Sequence, residues 1–294
     1  MIRPALLALV LAFPLAACAT LPRAADTAIF PGIHYEQGEA PGPAHIHVVS
    51  IDLTRPGIAF ALTEGDHSKG MEHVAKLTSA YLAERHAQVA INASYFLPFK
   101  GGSKGGDDYY PHVGDPVNVS GPEIARGKTV SPVEVDLDDR VDSMLCFHRA
   151  RAVIVDGQQC PAGYVDGVAA GPRLLEGGKA KTSALDYATD THPRTAFGIS
   201  ADRRRAWIVL ADGRQADSKG MTLADLAELF RKLGASDAIN LDGGGSSTLA
   251  VEGADGKPRL LNSAIHTGVP GRERPVANHI LLFAPHRHLG GGPQ

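Results

Sequence analysis

The sequence lacks the features that mark several classes of protein. Its 29 Lys and Arg nearly balance its 32 Asp and Glu, and the formal net charge of −3 gives no electrostatic reason to expect a nucleic-acid partner. The composition, 44% apolar and 21% charged, excludes disorder, collagen and coiled coil. A chain of 294 residues with this composition is typical of one large globular domain or two small ones.

Metal-binding and redox motifs are also missing. The three cysteines form no CxxC pair, and no HExxH pattern occurs. His45 and His47 share one face of an early strand, but without a nearby carboxylate or cysteine we interpret them as strand residues. These patterns require no cofactor. A Ca²⁺ or Mg²⁺ ion held by Asp212, Asp242 and asparagine oxygens is chemically possible, although nothing in the spacing demands it.

Residues 1–17 have the layout of a secretory signal peptide, with one positive charge, a short apolar stretch and small residues before a cysteine. The apolar stretch is too short for a comfortable membrane span. The segment Leu15–Cys18 also resembles a bacterial lipobox, which predicts that Cys18 becomes a lipidated N-terminus; a plain signal peptide is the alternative. The resemblance implies a lipid anchor in a bacterial cell envelope. Ala19 after the cysteine favours the outer membrane, with the protein facing the periplasm.

The other two cysteines, Cys146 and Cys160, form an even pair in what would be an oxidising compartment. The residues between them have the pattern of a strand and a turn, so we expect a disulfide that closes a short loop. On the chain-entropy model, such a loop stabilises the fold by about 3 kcal/mol. A catalytic thiol or a metal pair is less well supported because the CxxC spacing is absent.

Hydrophobic patterns divide the chain into a tether at 18–44, one domain at 45–285 and a flexible tail at 286–294. The first two predicted strands, at 45–53 and 57–63, are expected to form a hairpin. Further strands are predicted at 88–92, 132–137, 151–155, 164–169, 207–213, 237–241 and 279–285.

Two segments, 71–86 and 221–235, have the i, i+3, i+4 spacing of an amphipathic helix. In the second, Thr222 is the expected N-cap and Gly234 the expected C-cap. The polar stretch at 98–127 is predicted to be a long surface loop, either a functional lid or simply a flexible segment. Together these patterns predict an α+β fold, a single domain with a mixed β-sheet core and at least two packed amphipathic helices.

The most concentrated functional signal follows the strand at 237–241. Asn240 and Asp242 project from one face of that strand because side chains alternate with a period of two. The run that follows holds three glycines and three hydroxyl residues: Gly243, Gly244, Gly245, Ser246, Ser247 and Thr248. Such glycines allow close backbone approach and expose amide N–H groups to an anion, and the hydroxyls add donors. An ordinary β-turn is the alternative, and the lysine of a GxxxxGK[ST] loop is absent.

The tripeptide Ala-Ile-Asn occurs at 90–92 and again at 238–240, each time after a predicted helix and before a small or polar cluster. Ligand sites in sheets commonly lie where strands end in polar turns. The repeat therefore raises the question of whether Asn92 and Asn240 converge in the fold.

Several segments together resemble the phosphodiester glycosidase family. They are INASYF (91–96), GPRLLEGGK (171–179), HPRTAFGIS (192–200), VLADGR (209–214), INLDGGGSST (239–248) and ERPVANHILLF (273–283). They occur in the family's order and extend across residues 45–285. The chain departs from the family at Ala93 and Ser94, where glycine is common.

The resemblance implies a hydrolase that cuts the bond between the anomeric carbon and the phosphate oxygen of a sugar 1-phosphodiester, such as an N-acetylglucosamine 1-phosphodiester. Because the phosphomonoester is already a good leaving group, the site chiefly needs to neutralise phosphate charge and to activate water or a nucleophile. Asp242 and Asp212 are the candidates for base, nucleophile or oxocarbenium-stabilising roles, and Arg194 offers a bidentate phosphate fork. A structural ion pair for Arg194 and a turn role for Asp212 are the alternatives.

Substrate-binding residues are expected around these three. Asn92 and Asn240 suit hydrogen bonds to sugar hydroxyls or to an acetamido group, and Arg274 can supply a second cation. The remaining candidates are the backbone amides and hydroxyls of Gly243, Gly244, Gly245, Ser246 and Ser247.

The expected partners are therefore a sugar phosphodiester or envelope glycan, and the membrane through the lipid anchor, with no nucleic acid. The predicted role lies in cell-envelope or exopolysaccharide metabolism. Two alternatives remain open: a phosphodiesterase that cuts the P–O bond, and a non-catalytic glycan-binding lipoprotein of the envelope.

Overall fold

The computed structural model describes residues 27–40, 42–98, 106–132 and 138–286. Within these ranges the chain forms 21 strands and two α-helices, and all strand pairs are antiparallel. The strands are β1 (Thr27–Phe30), β2 (Ile33–Ala40), β3 (Ala44–Asp52), β4 (Ala59–Leu62), β5 (His73–Val74), β6 (Val89–Asn92), β7 (Phe96–Leu97), β8 (Pro116–Val119), β9 (Glu123–Ala125), β10 (Lys128–Ser131), β11 (Ser143–His148), β12 (Arg151–Asp156), β13 (Asp166–Ala170), β14 (Arg173–Glu176), β15 (Lys179–Ala180), β16 (Arg194–Ile199), β17 (Arg205–Ala211), β18 (Asp237–Asn240), β19 (Leu249–Glu252), β20 (Pro258–Leu260) and β21 (His279–Phe283). The helices are α1 (Thr78–Arg85) and α2 (Leu223–Leu233).

The prediction of an α+β fold with a mixed sheet is wrong, because the protein is mostly β. Its strands form antiparallel sheets of eight, five, five and three strands, and the two α-helices are the minor component. Residue periodicity identifies a strand but not the direction of its neighbours. Antiparallel neighbours need no crossover helix between them, so many strands fit into a chain with few helices.

The eight-stranded sheet is buried on both faces at its centre. Its strand order is β1-β2-β3-β17-β16-β18-β14-β15. In β17, Ile208 and Leu210 face a core that is shared with both five-stranded sheets, whereas Trp207 and Val209 face a second core that includes α2. Because side chains alternate along a strand, a strand packed on both faces is apolar at nearly every position.

Helix α2 covers one face of this sheet and has the ends that the sequence predicts. The Thr222 side chain accepts a hydrogen bond from the amide of Asp225, and Gly234 ends the helix in the left-handed conformation. Phe230 is fully buried and packs against Gly198 of β16, where a side-chain Cβ would lie 2.5 Å from the ring. Helix and sheet therefore approach closely because this strand position has no side chain.

Helix α1 is shorter than predicted. The segment 71–77 is extended rather than helical: His73 and Val74 form β5, and the Lys76 amide donates to the carbonyl of Val276 at 3.0 Å. The helical spacing of the apolar residues in this segment was misleading, because strand pairing with distant residues takes up its backbone groups. Only Thr78–Arg85 adopts the helix.

Other differences concern strand pairing. Strand β3 pairs with β2 and β17, and β4 pairs with β21, so the hairpin expected at 45–63 does not form. Residues 27–40, expected to be tether, are the paired strands β1 and β2. The expected loop at 98–127 contains β8 and β9. Most of the strand predicted at 132–137 lies outside the described residues.

The predicted disulfide between Cys146 and Cys160 is confirmed, with an S–S distance of 1.98 Å. Cys146 lies in β11, the middle strand of a three-strand unit with β12 and β13. The predicted signal peptide and Cys18 lie outside the described residues. Among the residues that are described, no helix is long and apolar enough to cross a membrane.

Candidate active site

The two Ala-Ile-Asn strand ends converge. Strand β6 ends at Asn92, and its side-chain Nδ2 donates to the backbone carbonyl of Asp242 at 2.6 Å. The Asp242 amide in turn donates to the carbonyl of Ala93 at 2.9 Å. Strand β18 ends at Asn240, two residues before Asp242. The weak sequence repeat therefore marks one place in the fold, where strands from two different sheets meet.

Asn92 holds this junction together. Besides its bond to Asp242, its Oδ1 accepts hydrogen bonds from the Thr195 hydroxyl at 2.9 Å and from the Thr248 amide at 3.2 Å. The side chain is buried and both ends of its amide are in use. The structure thus gives Asn92 the role of a clamp between β6, β16 and the glycine turn, rather than that of the sugar ligand expected from the sequence.

Asn240 is also buried, and only part of its hydrogen-bonding capacity is used. Its Nδ2 donates to the Tyr95 hydroxyl and to the Gly171 carbonyl, both at 2.9 Å. Its Oδ1 has no hydrogen-bond partner among the described residues, and the same holds for the hydroxyls of Ser247 and Thr248. Three buried polar atoms without partners therefore lie beside the turn.

The glycine turn uses most of its amides to hold its own shape. The Gly244 amide donates to the Pro193 carbonyl at 2.8 Å, and the Ser246 amide donates to the Gly243 carbonyl at 3.2 Å. The Gly243 amide bonds to the Asp242 carboxylate. Only Gly244 has a positive φ, of 62°. The expected row of free amide donors for an anion is thus reduced, and the positive side chains around the turn become the main source of attraction for an anion.

The carboxylate of Asp242 lies among these positive charges. Desolvation raises the pKa of Asp242, against the lowering effects of the Ser246 hydroxyl and of the charges on Arg274 and Arg140. A carboxyl whose pKa is raised in a partly covered site is suited to accept or donate a proton during catalysis. Among the predicted catalytic residues, Asp242 has the environment that best fits the prediction.

Arg274 is a buried cation beside the glycine turn. Its Nη1 donates to the Ser246 hydroxyl at 3.3 Å, its Nε to His266 Nδ1 at 3.2 Å, and its guanidinium stacks 3.8 Å from the centre of the Tyr110 ring. Desolvation, together with the charge of Arg274, lowers the pKa of His266 to about 4, so this imidazole is neutral and accepts. A Cβ at Gly245 would lie 2.3 Å from Nη2, so glycine is needed there to admit the guanidinium.

Arg194 is used differently from the prediction. Its Nε donates to the Met221 carbonyl, and one Nη donates to the carbonyls of Tyr187 and Asp190, all at 3.0 Å. The side chain is buried, and it pairs with backbone carbonyls instead of the structural carboxylate considered as the alternative. Two of its three nitrogens hold loops together, so the two-pronged fork expected for phosphate is already occupied.

Asp212 is enclosed behind the turn. Its Oδ2 lies 3.1 Å from His47 Nε2, and its Oδ1 accepts from Asn262 Nδ2 at 3.2 Å and from the Ser263 amide at 3.0 Å. Burial raises the pKa of Asp212, but the hydrogen bonds and charge of His47 outweigh burial and leave the pKa below its ordinary value. Asn262 also donates to the Ser247 carbonyl at 3.0 Å. Asp212 therefore supports the turn from behind, and His47 is its partner rather than an idle strand residue.

The family model of the phosphodiester glycosidases matches residues 85–283, more than half of the chain. The chain belongs to the phosphodiester glycosidase family. The matched range contains every predicted catalytic and substrate-binding residue, from Asn92 to Arg274.

The chain is also similar to individual proteins. The SPbeta prophage-derived uncharacterized protein YomE of Bacillus subtilis (strain 168) is 38% identical over 115 residues, which are 38% of this chain and 16% of YomE. The zebrafish N-acetylglucosamine-1-phosphodiester alpha-N-acetylglucosaminidase catalytic domain, auto-inhibited by its pro-peptide, is 19% identical with a TM-score of 0.59, over 91% of this chain and 88% of that chain. A hypothetical protein from Synechocystis is 17% identical with a TM-score of 0.57, over 87% of this chain and 62% of that chain.

The chain thus spans less than two thirds of the length of YomE and of the Synechocystis protein. At these identities the two solved structures show a shared fold.

Four residues around the glycine turn were not singled out by the sequence. Tyr95 and Arg214 lie inside family segments, so the segments themselves contained a signal for them. Arg140, whose guanidinium lies 3.9 Å from the centre of the Tyr95 ring, and His266 lie outside those segments and carry no local signal. Folding from distant parts of the chain brings them to the turn.

Metal binding has little support around the turn. The described residues hold no group of three or more His, Cys, Asp or Glu side chains placed to share a metal ion. Asp212, one of the two carboxylates proposed as ligands for Ca²⁺ or Mg²⁺, already has protein partners on both oxygens.

A separate cleft lies at the other end of the eight-stranded sheet. It has a volume of about 920 Å³ and is lined by Ser200, Arg205 and Trp207, among others. Strand β16 begins at the active site with Arg194 and ends beside this cleft at Ile199. The cleft shares no residue with the glycine turn.

Proposed function

We propose that the protein hydrolyses the glycosidic bond of sugar 1-phosphodiesters of the N-acetylglucosamine 1-phosphodiester type. The observation that supports this most directly is the Asp242 carboxylate, with its raised pKa, beside the buried guanidinium of Arg274. Membership of the phosphodiester glycosidase family supplies the reaction class. The name of the zebrafish enzyme supplies the example of the sugar.

In the proposed reaction, water adds to the anomeric carbon while the bond from that carbon to the phosphate oxygen breaks. The bonding electrons leave with the oxygen, so the products are the free sugar and a phosphomonoester. Asp242 accepts the proton of the water or stabilises the positive charge on the sugar, depending on the path. Arg274 fixes the Asp242 and Ser246 side of the pocket, and nearby guanidinium groups neutralise the departing phosphate.

The test is hydrolysis of the methyl phosphodiester of N-acetylglucosamine 1-phosphate in ¹⁸O-labelled water. We expect free N-acetylglucosamine with the label on the anomeric hydroxyl. Label in the phosphate would instead establish the P–O-cleaving phosphodiesterase. Saturable binding without turnover, across a panel of sugar phosphodiesters, would establish a glycan-binding protein.

Two variants make this test specific to the site. Asp242→Asn should remove turnover while the protein remains folded, as judged by circular dichroism. Asp217→Asn changes an exposed carboxylate and should keep wild-type turnover. Wild-type turnover in the Asp242→Asn protein would refute the assignment.

We further propose that the protein works in the bacterial cell envelope, anchored to the outer membrane through a lipidated Cys18 and facing the periplasm. The support is the lipobox-like sequence and the disulfide, which suits an oxidising compartment. Labelled palmitate should enter the wild-type protein and not Cys18→Ser. Equal labelling of both, or labelling of neither, would refute the anchor.

A further inference from the structure

Four guanidinium groups surround the glycine turn, and three of them are held by hydrogen bonds within the protein. Arg194 donates to three backbone carbonyls. Arg274 is held by Ser246, His266 and a stacked tyrosine. Arg140 forms an ion pair with Asp138, with two nitrogens donating to its carboxylate. Each of these three cations shapes the pocket and has few donors left for a ligand.

Arg214 is the fourth, and it differs from the others. Its side chain is exposed, and no carboxylate of the described residues lies within ion-pairing distance of it. The guanidinium lies against the turn: a Cβ placed on Gly244 would be 3.1 Å from both of its Nη atoms. Its donors therefore lie at the turn and remain available to a ligand.

The backbone at Arg214 is also strained. Its φ is 58°, in the left-handed region that side-chain-bearing residues rarely adopt. The conformation is fixed by its neighbours, since Gly213 packs against Pro193 so closely that a Cβ would lie 2.7 Å from the proline nitrogen. Strain of this kind persists where the surrounding fold imposes it, and it is concentrated at functional sites.

The charges around the turn are unbalanced toward the positive. Desolvation lowers the pKa of Arg194 and of Arg274, and the positive charge of Arg214 lowers both further. Arg214 is thus close enough to repel both Arg194 and Arg274, and Asp242 attracts Arg274. Such a concentration of like charge attracts an anion, whose binding relieves the repulsion.

Assuming the sugar 1-phosphodiester hydrolysis put forward above, we infer that Arg214 is the residue that binds the non-bridging oxygens of the phosphate. The planar guanidinium offers two parallel N–H donors, which match two oxygens of a phosphate. As the glycosidic bond breaks, negative charge grows on the departing phosphomonoester. Arg214 then stabilises that charge, taking the role that the sequence assigned to Arg194.

Binding of inorganic phosphate and of methyl phosphate, measured by calorimetry on the full chain, tests this assignment without depending on turnover. Arg214→Gln should weaken binding at least about tenfold, the equivalent of about 1.4 kcal/mol. Arg214→Lys should restore part of the affinity, because it keeps the charge without the fork. Arg203→Gln is the matched control: Arg203 is also exposed with a φ of 55°, at the far end of the sheet, and its loss should leave binding unchanged.

Measurements of thermal stability distinguish a structural role for Arg214 from a role in binding phosphate. Arg214→Gly relieves the left-handed backbone and should leave the thermal midpoint unchanged while phosphate binding is lost. Unchanged phosphate affinity in Arg214→Gln, or a thermal midpoint that falls in Arg214→Gly but not in Arg203→Gly, would overturn the inference.

The same data distinguish this inference from the proposed function. Sugar release with an unchanged KM in Arg214→Gln would overturn the role of Arg214 and leave the glycosidase activity standing. Phosphate binding that depends on Arg214, in a protein that releases no sugar, would support Arg214 as the phosphate ligand and overturn the glycosidase.

Discussion

A single added methyl group at Gly245 should test how the site depends on Arg274. Gly245 does not have a positive φ, so Gly245→Ala adds no backbone strain. The new Cβ would lie 2.3 Å from Nη2 and 2.7 Å from Cζ of Arg274. Since carbon atoms pack at about 3.5 Å or more, the guanidinium must move by about 1 Å.

That displacement is enough to break the contacts of Arg274. Its bonds to Ser246 and His266 are 3.3 and 3.2 Å long, and a further 1 Å, approximately, takes both beyond hydrogen-bonding distance. A displacement of this size in a catalytic group costs about 10²-fold in rate. Because the displaced atoms are the far end of a flexible side chain, the free energy of unfolding should fall by only about 1 kcal/mol.

The assay compares kcat and thermal midpoint with those of a matched variant, Gly198→Ala. Gly198 also lacks a positive φ, and its added Cβ would lie 2.5 Å from the Phe230 ring, in the core beneath α2. This variant should lose about 1 to 3 kcal/mol of stability and keep its kcat below the midpoint. Wild-type kcat in Gly245→Ala, with the Arg274 to Ser246 bond intact in its crystal structure, would refute the reasoning.

Three further predictions concern stability. Replacing both Cys146 and Cys160 by Ser opens a loop with a sequence separation of 14. The free energy of unfolding should fall by about 3 kcal/mol, which lowers the calorimetric midpoint by about 6 to 12 °C. An unchanged midpoint would contradict this prediction. Burial raises the pKa of Asp242 in the folded state, so the wild type should lose stability as the pH rises from about 4 through that raised pKa. The thermal midpoint of Asp242→Asn, measured against pH, should fall less over this window. Parallel plots of midpoint against pH for the two proteins would contradict the pKa shift. Arg173→Met removes a buried guanidinium that donates to three partly exposed carboxylates. The free energy of unfolding, measured in urea, should fall by about 2 kcal/mol while kcat stays unchanged. A loss of kcat without a loss of stability would instead place Arg173 in catalysis.

Local features of the chain were predictable where the physics is local. The caps of α2 depend on Thr222 and Gly234, which act within one turn of the helix. The disulfide followed from two cysteines on either side of a strand and turn. The glycine run after Asp242 stood out because three glycines beside polar residues exceed the needs of a turn. These conclusions required no knowledge of distant residues.

Strand pairing was not predictable in the same way. Strand β3 pairs with β17, about 160 residues further along the chain, and β4 pairs with β21 near the end of the domain. A hydrophobic strand pattern indicates that one face of the strand is buried, but it does not indicate which strand pairs with it. The sheet arrangement is set by many such choices together, and the α+β prediction failed on that point.

The sequence by itself determined the family segments, the disulfide, helix α2 and the position of Asp242 in a glycine-rich turn. Only the tertiary structure decided the roles of the other charged groups. Asp212 is hydrogen-bonded to His47, which lies 165 residues away in the sequence. Arg194 donates its hydrogen bonds to backbone carbonyls of neighbouring loops. A side chain's availability to a substrate depends on which partners the fold brings to it. Residue type and spacing therefore identified the candidate site residues, and the long-range contacts determined which of them remain available to a substrate.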